Sequence, residues 1–230
     1  MHWPKPLISA RFIHRENRFL ARVELLKEKT EAWVHVPSPG RMRELLLENA
    51  RVLLRKGANP QRKTQYDLFA VKTLEDVLVI VDSRVANKVV KEAFQNQLLF
   101  PISELRPEQQ FGKSRLDFFV KRQDGKGVWV EVKSVTLNEQ GTALFPDAPT
   151  IRGSRHLEEL VSATGQEYDA MAIFAIMRND CTQFSPNKKT DPLFAATLKE
   201  ATRQGVTAKA FSLRISEKSF VLGNEVPIIL

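Results

Sequence analysis

The chain has 230 residues, 43% of them hydrophobic, and a net charge of +8 at pH 7. That length allows one large domain or two small ones with real cores, and the basic balance fits a polyanionic partner such as nucleic acid. The single cysteine, Cys181, excludes an intramolecular disulfide framework and a cysteine-rich zinc site, and no apolar run approaches the roughly 18 residues of a membrane span.

The lone cysteine suits a reducing cytoplasm, the expected location. The segment Trp3-Pro4-Lys5-Pro6 would interrupt the h-region of a signal peptide.

In chain order, the first third reads as short strands at Leu7–Ile13, Phe19–Leu25, Ala32–Val36, Arg51–Leu54, Leu68–Thr73 and Val77–Val81. Turn material separates them at Arg15-Glu16-Asn17, Pro37-Ser38-Pro39-Gly40 and Gly57-Ala58-Asn59-Pro60. One short helix, Met42–Leu47, is expected among them. Short curved strands with one inserted helix suggest a small OB-type barrel. After Asp82 the pattern changes. Ser83 is a good N-cap for a helix from Arg84 to about Leu99, which Pro101 ends. Two strands follow, Ser114–Val120 and Val128–Lys133, joined by a turn at Asp124-Gly125-Lys126-Gly127. A helix is expected from about Gly153 to Ala163, then a strand buried on both faces at Ala170–Met177. A helix over Pro192–Gln204, capped by Asp191, and strands at Val206–Leu213 and Ser219–Leu222 complete the chain. This describes an α/β sandwich around a mixed sheet. The boundary falls near Asp82, giving domains 1–82 and 83–230 that pack together without a flexible linker.

The strand pair carries the chemistry. Thirteen residues separate Asp117 from Glu131, and Lys133 follows in a Glu-x-Lys pattern. Side chains at i and i+2 share a strand face, so Glu131 and Lys133 lie together while Val130 and Val132 face a core. Hairpin pairing can bring Asp117 beside Glu131. Two carboxylates and an ammonium on a buried sheet are costly unless they serve a purpose. A divalent cation on the carboxylates, with the lysine orienting water, supplies one. Glu92 on the preceding helix could be a third metal ligand or a solvated helix-face residue. Arg115 could hold phosphate or neutralise the acids. Arg152 and His156, four apart at a helix start, could share a face toward phosphate, although a lone histidine is more often structural. In the first third, Arg41, Arg62 and Lys63, with Trp33, Phe19 and Tyr66 nearby in sequence, suit a single-strand groove. Against this, barrel aromatics usually fill a core and charged runs usually face solvent.

Several motifs together resemble the sugar fermentation stimulation protein A (SfsA) family over nearly the whole chain. In the first half these are Arg18-Phe19-Leu20-Ala21-Arg22-Val23, His35-Val36-Pro37-x-x-Gly40-Arg41-Met42 and Asn59-Pro60-Gln61-Arg62-Lys63 followed by Tyr66. In the second they are Ala86-Asn87 with Glu92-Ala93, Phe111-Gly112-x-Ser114-Arg115-Leu116-Asp117-Phe118, Val130-Glu131-Val132-Lys133-Ser134-Val135-Thr136-Leu137, Phe145-Pro146-Asp147-Ala148-Pro149-Thr150, Arg152-Gly153-x-x-His156-Leu157, Phe184-x-Pro186 and Asp191-Pro192. The resemblance implies an N-terminal OB-fold barrel packed on a C-terminal PD-(D/E)xK nuclease-like α/β domain. It also implies DNA binding linked to regulation of sugar catabolism, and a nuclease-like site on Glu92, Asp117, Glu131 and Lys133. Two departures fall in the first half. The family's usual Pro-Asn-Thr-Gly reads Pro37-Ser38-Pro39-Gly40, and its Asp-Asn-Pro-Lys-Arg-Lys loop reads Ala58-Asn59-Pro60-Gln61-Arg62-Lys63.

The expectation is therefore a cytoplasmic DNA-binding protein with a metal-dependent nuclease-like domain. Asp117, Glu131 and Glu92 hold Mg²⁺ or Mn²⁺. Lys133, Glu131 and Asp117 act in phosphodiester hydrolysis, and Arg115, Arg152, His156, Arg62, Lys63 and Arg41 contact phosphate. The alternative is a non-catalytic DNA-binding regulator that retains the nuclease fold. A nucleotide- or sugar-binding module is weakest, because the chain has no P-loop and no dinucleotide fingerprint.

Overall fold

The computed structural model describes residues 1–57, 59, 61–216 and 218–230. The turn expected at Gly57-Ala58-Asn59-Pro60 includes Ala58 and Pro60, which lie outside the described residues, as does that part of the second family departure.

Six strands build the first half: β1 (Leu7–Asn17), β2 (Leu20–Leu25), β3 (Thr30–His35), β4 (Arg51–Lys56), β5 (Tyr66–Lys72) and β6 (Leu78–Ile80). Their order is β3-β2-β1-β4-β5-β6, and β3 also pairs with β5. That parallel pairing, Val34 with Tyr66 and His35 with Asp67, closes five strands into the OB barrel. Closure works because alternate residues are apolar and point inward: Ala10, Phe12, Ala21, Val23, Val34, Val52 and Leu54 share one buried cluster.

The expected helix at Met42–Leu47 does not form. Leu45 N and Leu46 N both donate to Met42 O, at 3.1 and 2.9 Å, in isolated turns. Met42 takes a left-handed φ of 49°, which a helix start excludes. Burial explains the preference: Met42 and Leu45 both enter the barrel core, and a helical segment this short gains little of its own.

The second half contains α1 (Arg84–Gln95), β7 (Ile102–Phe111), β8 (Ser114–Arg122), β9 (Gly127–Val135), β10 (Leu137–Glu139), β11 (Thr142–Phe145), α2 (Ile151–Thr164), β12 (Asp169–Ile176), β13 (Gln183–Pro186), α3 (Pro192–Arg203), β14 (Thr207–Ile215) and β15 (Phe220–Val226). The main sheet runs β15-β14-β12-β9-β8-β7, and β10, β11 and β13 form a small second sheet. Strands β9, β12 and β14 are parallel neighbours and the outer ones antiparallel, so the sheet is mixed. One face carries Val130, Val132 and Ile173 against Val89 and Ala93 of α1. The other carries Ala172 and Phe174 against Leu157 of α2 and Leu198 of α3. Helices on both faces of such a sheet give the expected α/β sandwich.

Three local readings are corrected. Strand β7 was not expected. Its charged residues and Pro107 mask the strand pattern, and a proline is tolerated there because β7 is a sheet edge. Helix α1 ends at Gln95 rather than near Leu99. Gln97 adopts a φ of 56°, and Leu98 N returns to Ala93 O at 2.9 Å, a Schellman closure. Ser83 does not cap α1 through its side chain. Its hydroxyl donates to Pro37 O at 2.8 Å, and Asp82 Oδ1 accepts from Arg84 N at 3.1 Å instead.

The halves pack as expected. Phe69, Ala70 and Ile80 of the barrel belong to the same buried cluster as α1, and Ile80 N donates to Met177 O at 3.0 Å.

Candidate metal centre

The β8–β9 ladder pairs Phe118 with Val130 and runs to Lys121 with Gly127. Beyond that point the Asp117 side chain takes over from the main chain, and its Oδ2 accepts from Val132 N at 2.8 Å. Strand β8 rotates here. Leu116 packs in the α2 cluster while Phe118 and Val120 pack in the α1 cluster, although strict alternation would put all three on one face. Beside this point lies a cleft of about 370 Å³ between the halves, whose lining includes Asp117, Glu131 and Lys133. The Asp117, Glu131 and Lys133 of the sequence reading therefore converge.

Each carboxylate is held from behind. Asn87 Nδ2 of α1 donates to Asp117 Oδ1 at 2.6 Å. Glu131 Oε1 accepts from Lys133 Nζ at 2.7 Å and lies against His156 Nδ1 of α2. Arg152 Nε in turn donates to His156 Nε2 at 3.2 Å. An imidazole accepting at Nε2 carries its proton on Nδ1, so His156 donates to Glu131. Glu131 Oε2 is buried with no hydrogen-bond partner. A buried carboxylate oxygen left bare is expensive, and a cation would satisfy it.

Burial, with the Glu131 charge nearby, pushes the Asp117 carboxyl up to about 6, against the opposing bonds from Val132 N and Asn87. Burial also works against ionised Glu131, but Lys133 and His156 more than offset it and hold that carboxyl below its ordinary value. The two acids are thus pushed apart by their surroundings, as expected of neighbouring like charges. Among the described residues, no group of three or more His, Cys, Asp or Glu is arranged to hold a metal. The residues present fit a hard cation through two carboxylates with water completing its shell.

Of the other expected site residues, two stay at the site and the rest lie elsewhere. Arg152 lines the cleft, and His156 is buried behind Glu131. Glu92 does not join them: its Oε2 accepts from the Met1 amino group at 2.7 Å, because it projects from α1 toward β15 rather than toward Asp117. Arg115 is exposed and faces Glu108 at 3.6 Å. Arg62 Nη2 donates to the buried Asp67 at 2.7 Å, and Lys63 is exposed beside it. Arg41 is exposed along a neighbouring cleft.

Sequence reasoning missed Arg84 and Asn87 as cleft residues. Their i, i+3 spacing at the start of a helix is the signal that could have found them. Arg84 donates from Nε to Asp82 Oδ1 at 2.8 Å and from Nη2 to Asp67 Oδ2 at 2.7 Å. Asp147 was also missed as a site residue. It accepts from Met42 N at 3.0 Å across the domain junction.

Comparison with known proteins agrees with this architecture. A family model described as the SfsA N-terminal OB domain matches residues 13–81. Another, the sugar fermentation stimulation protein RE domain, matches residues 84–219. A sugar fermentation stimulation protein homolog from Clostridium perfringens (strain 13 / Type A) is 42% identical over 233 residues, covering 100% of both chains. One from Clostridium acetobutylicum is 41% identical over 224 residues, covering 96% of both. The solved structure of Pyrococcus furiosus SfsA in complex with Ca²⁺ is 28% identical, with a TM-score of 0.91 over 100% of this chain and 98% of that one. The chain belongs to the sugar fermentation stimulation protein (SfsA) family.

Proposed function

We propose that this protein binds DNA and hydrolyses phosphodiester bonds at a divalent-cation site formed by Asp117 and Glu131. One observation carries the reading: Glu131 Oε2, buried and without a hydrogen-bond partner, belongs to a carboxylate that lines the same cleft as Asp117. The relative solved with Ca²⁺ supports a cation of this hard class. Mg²⁺ or Mn²⁺ is the working ion we propose, since oxygen ligands without thiolates suit both. A cation bound there supplies polarisation of a phosphoryl oxygen and a lowered water pKa.

The protein's own groups do the rest. Asn87 and Val132 N fix the Asp117 carboxylate. Arg152, through His156, fixes Glu131 so that Oε1 is occupied and Oε2 is not. Lys133 Nζ, held 2.7 Å from Glu131 Oε1, retains donors to orient water and to offset charge that develops on the phosphate. Arg84, pinned by two aspartates, presents fixed positive charge at the cleft for phosphate. Pure protein incubated with labelled single-stranded, duplex and branched DNA, with Mn²⁺ or with chelator, tests this. Cleavage that needs the ion and disappears in Lys133→Ala supports it. Mn²⁺ binding that is unchanged in Asp117→Asn and Glu131→Gln removes the site from consideration.

A second reading is a DNA-binding regulator that holds the cation without turnover. Glu92, expected as a third acid, is bonded to the Met1 amino group instead, and Lys133 is already paired with Glu131. DNA binding with no cleavage of any form in either metal would select it.

A further inference from the structure

The carboxylates lie under a roof supplied by the other half of the chain. The segment following β3 lines the cleft through Ser38, Pro39 and Gly40, and it is pinned along its length. Arg15 of β1 donates from Nη1 to the carbonyls of Gly40 and Arg41, both at 2.7 Å, and from Nη2 to that of Ser38 at 3.2 Å. Ser83 Oγ holds Pro37 O at 2.8 Å, and Asp147 holds Met42 N at 3.0 Å. Gly40 passes so near Asp147 that an added Cβ would stand 2.5 Å from Oδ2. A segment bonded at this many points opens rarely.

Beneath the roof, Glu131 and Lys133 are only 4% and 8% exposed. The cleft of about 370 Å³ is the size of a small-ligand pocket. To reach these side chains a phosphodiester must pass under the roof, and an unpaired strand, with no second strand beside it, does so with less bulk than a duplex. A second cleft, of about 450 Å³, shares Pro39 and Gly40 with the first and is lined by Arg15, Arg18, Arg41 and Arg43. Arg18, Arg41 and Arg43 are exposed, and Phe19, beside Arg18, is 49% exposed. Arginines along a path match the exposed phosphates of a single strand, and Phe19, next to Arg18 in sequence, is an exposed ring on which a base can stack.

We propose that the ligand of this junction is single-stranded DNA, running along Arg18, Arg41 and Arg43 and entering the carboxylate cleft beneath the fixed roof. The choice of DNA and any cleavage rest on the function proposed above; the requirement for an unpaired strand rests on the roof.

The test measures binding by fluorescence anisotropy with chelator present, so that nothing is cut. The probes are a labelled single-stranded oligonucleotide, the matched RNA, and the same sequence as a duplex closed by hairpins at both ends. The single strand should bind at least about tenfold tighter than the closed duplex, the effect of roughly one stacked base. Changing Arg18, Arg41 and Arg43 together to Ala, all on the surface, should shallow the dependence of log K on log salt by about two, at ~0.7 for each phosphate no longer neutralised. Asp147→Ala, which releases Met42, should narrow the gap between strand and duplex. Closed duplex binding as tightly as the single strand, or an unchanged salt slope, overturns the proposal; RNA binding tenfold tighter overturns DNA as the strand. Preference for the single strand with no cleavage on adding Mn²⁺ supports this inference and sinks the enzymatic reading.

Discussion

Asn87 Nδ2 donates to Asp117 Oδ1 at 2.6 Å, so the first helix of the α/β half sets the orientation of a carboxylate on the sheet. The bond is needed because β8 rotates at Asp117 and carries the side chain away from its regular pairing with β9. Asn87→Ala should leave Asp117 held by Val132 N alone. Outer-shell partners of this kind change metal affinity by about 10–100-fold. Calorimetric titration with Mn²⁺ should show a loss in that range while the circular dichroism spectrum stays unchanged. Unaltered affinity would mean that Asn87 does not position a ligand.

His156 acts in the same way on Glu131, and its removal should be felt twice. His156→Ala leaves Glu131 Oε1 with Lys133 as partner and opens a hole beside a buried carboxylate. Mn²⁺ affinity should drop by about 10-fold or more, with a loss of stability of about 1–3 kcal/mol from the missing hydrogen bond. Urea unfolding and metal titration on one sample separate the two effects. His156→Gln, which keeps a donor, should recover part of each.

Asp67 predicts the acid response. It is buried, which opposes ionisation, but Arg62, Arg84 and Arg55 donate to it and hold its carboxyl well below the usual range. A carboxyl depressed by folding contributes stability that is fully present above the unfolded value, ~3.9, and is lost as pH falls through the folded value. Asp67→Asn should lower stability at neutral pH by about 1–3 kcal/mol, since it removes a charged acceptor shared by three arginines, of which Arg55 and Arg84 keep Asp82. It should also flatten the acid limb below about pH 4. Urea midpoints measured from pH 7 downward check both points, and parallel curves for the two proteins would refute the assignment.

Gly40 tests the contact between the halves. A methyl group there meets Asp147 Oδ2 at 2.5 Å, so the roof or Asp147 must move. Gly40→Ala should cost about 1–3 kcal/mol as an overpacking change. It should also expose the Met42 amide, which Asp147 now satisfies, to faster hydrogen exchange. Unchanged exchange at Met42 would show that the junction yields without breaking that bond.

The chemistry at Asp117, Glu131 and Lys133 was legible because a strand's two-residue period fixes which side chains travel together. Glu131 and Lys133 share a face whatever the rest of the chain does. The individual strands of the barrel were legible for a related reason, since alternating apolar residues and turn signals are local, whereas the β3–β5 closure is a non-local pairing. The expected helix at Met42–Leu47 failed where local pattern met a non-local demand, the filling of the barrel core by Met42 and Leu45. Strand β7 was hidden because an edge strand carries polar residues and tolerates Pro107.

Tertiary structure alone decided which residues surround the carboxylates. Glu92 and Asn87 lie on the same helix, and nothing local says which of them meets the sheet. Packing of Val89 and Ala93 against Val130 and Val132 turns Asn87 toward Asp117 and leaves Glu92 by β15. Arg62 is likewise a basic residue in a loop by sequence, and only the fold brings it to the buried Asp67. The roof over the cleft comes from a segment more than 90 residues away from Glu131 along the chain. Periodicity reports the face of an element. Which neighbour that face meets depends on packing between elements, a property of the whole core that no local stretch of sequence encodes.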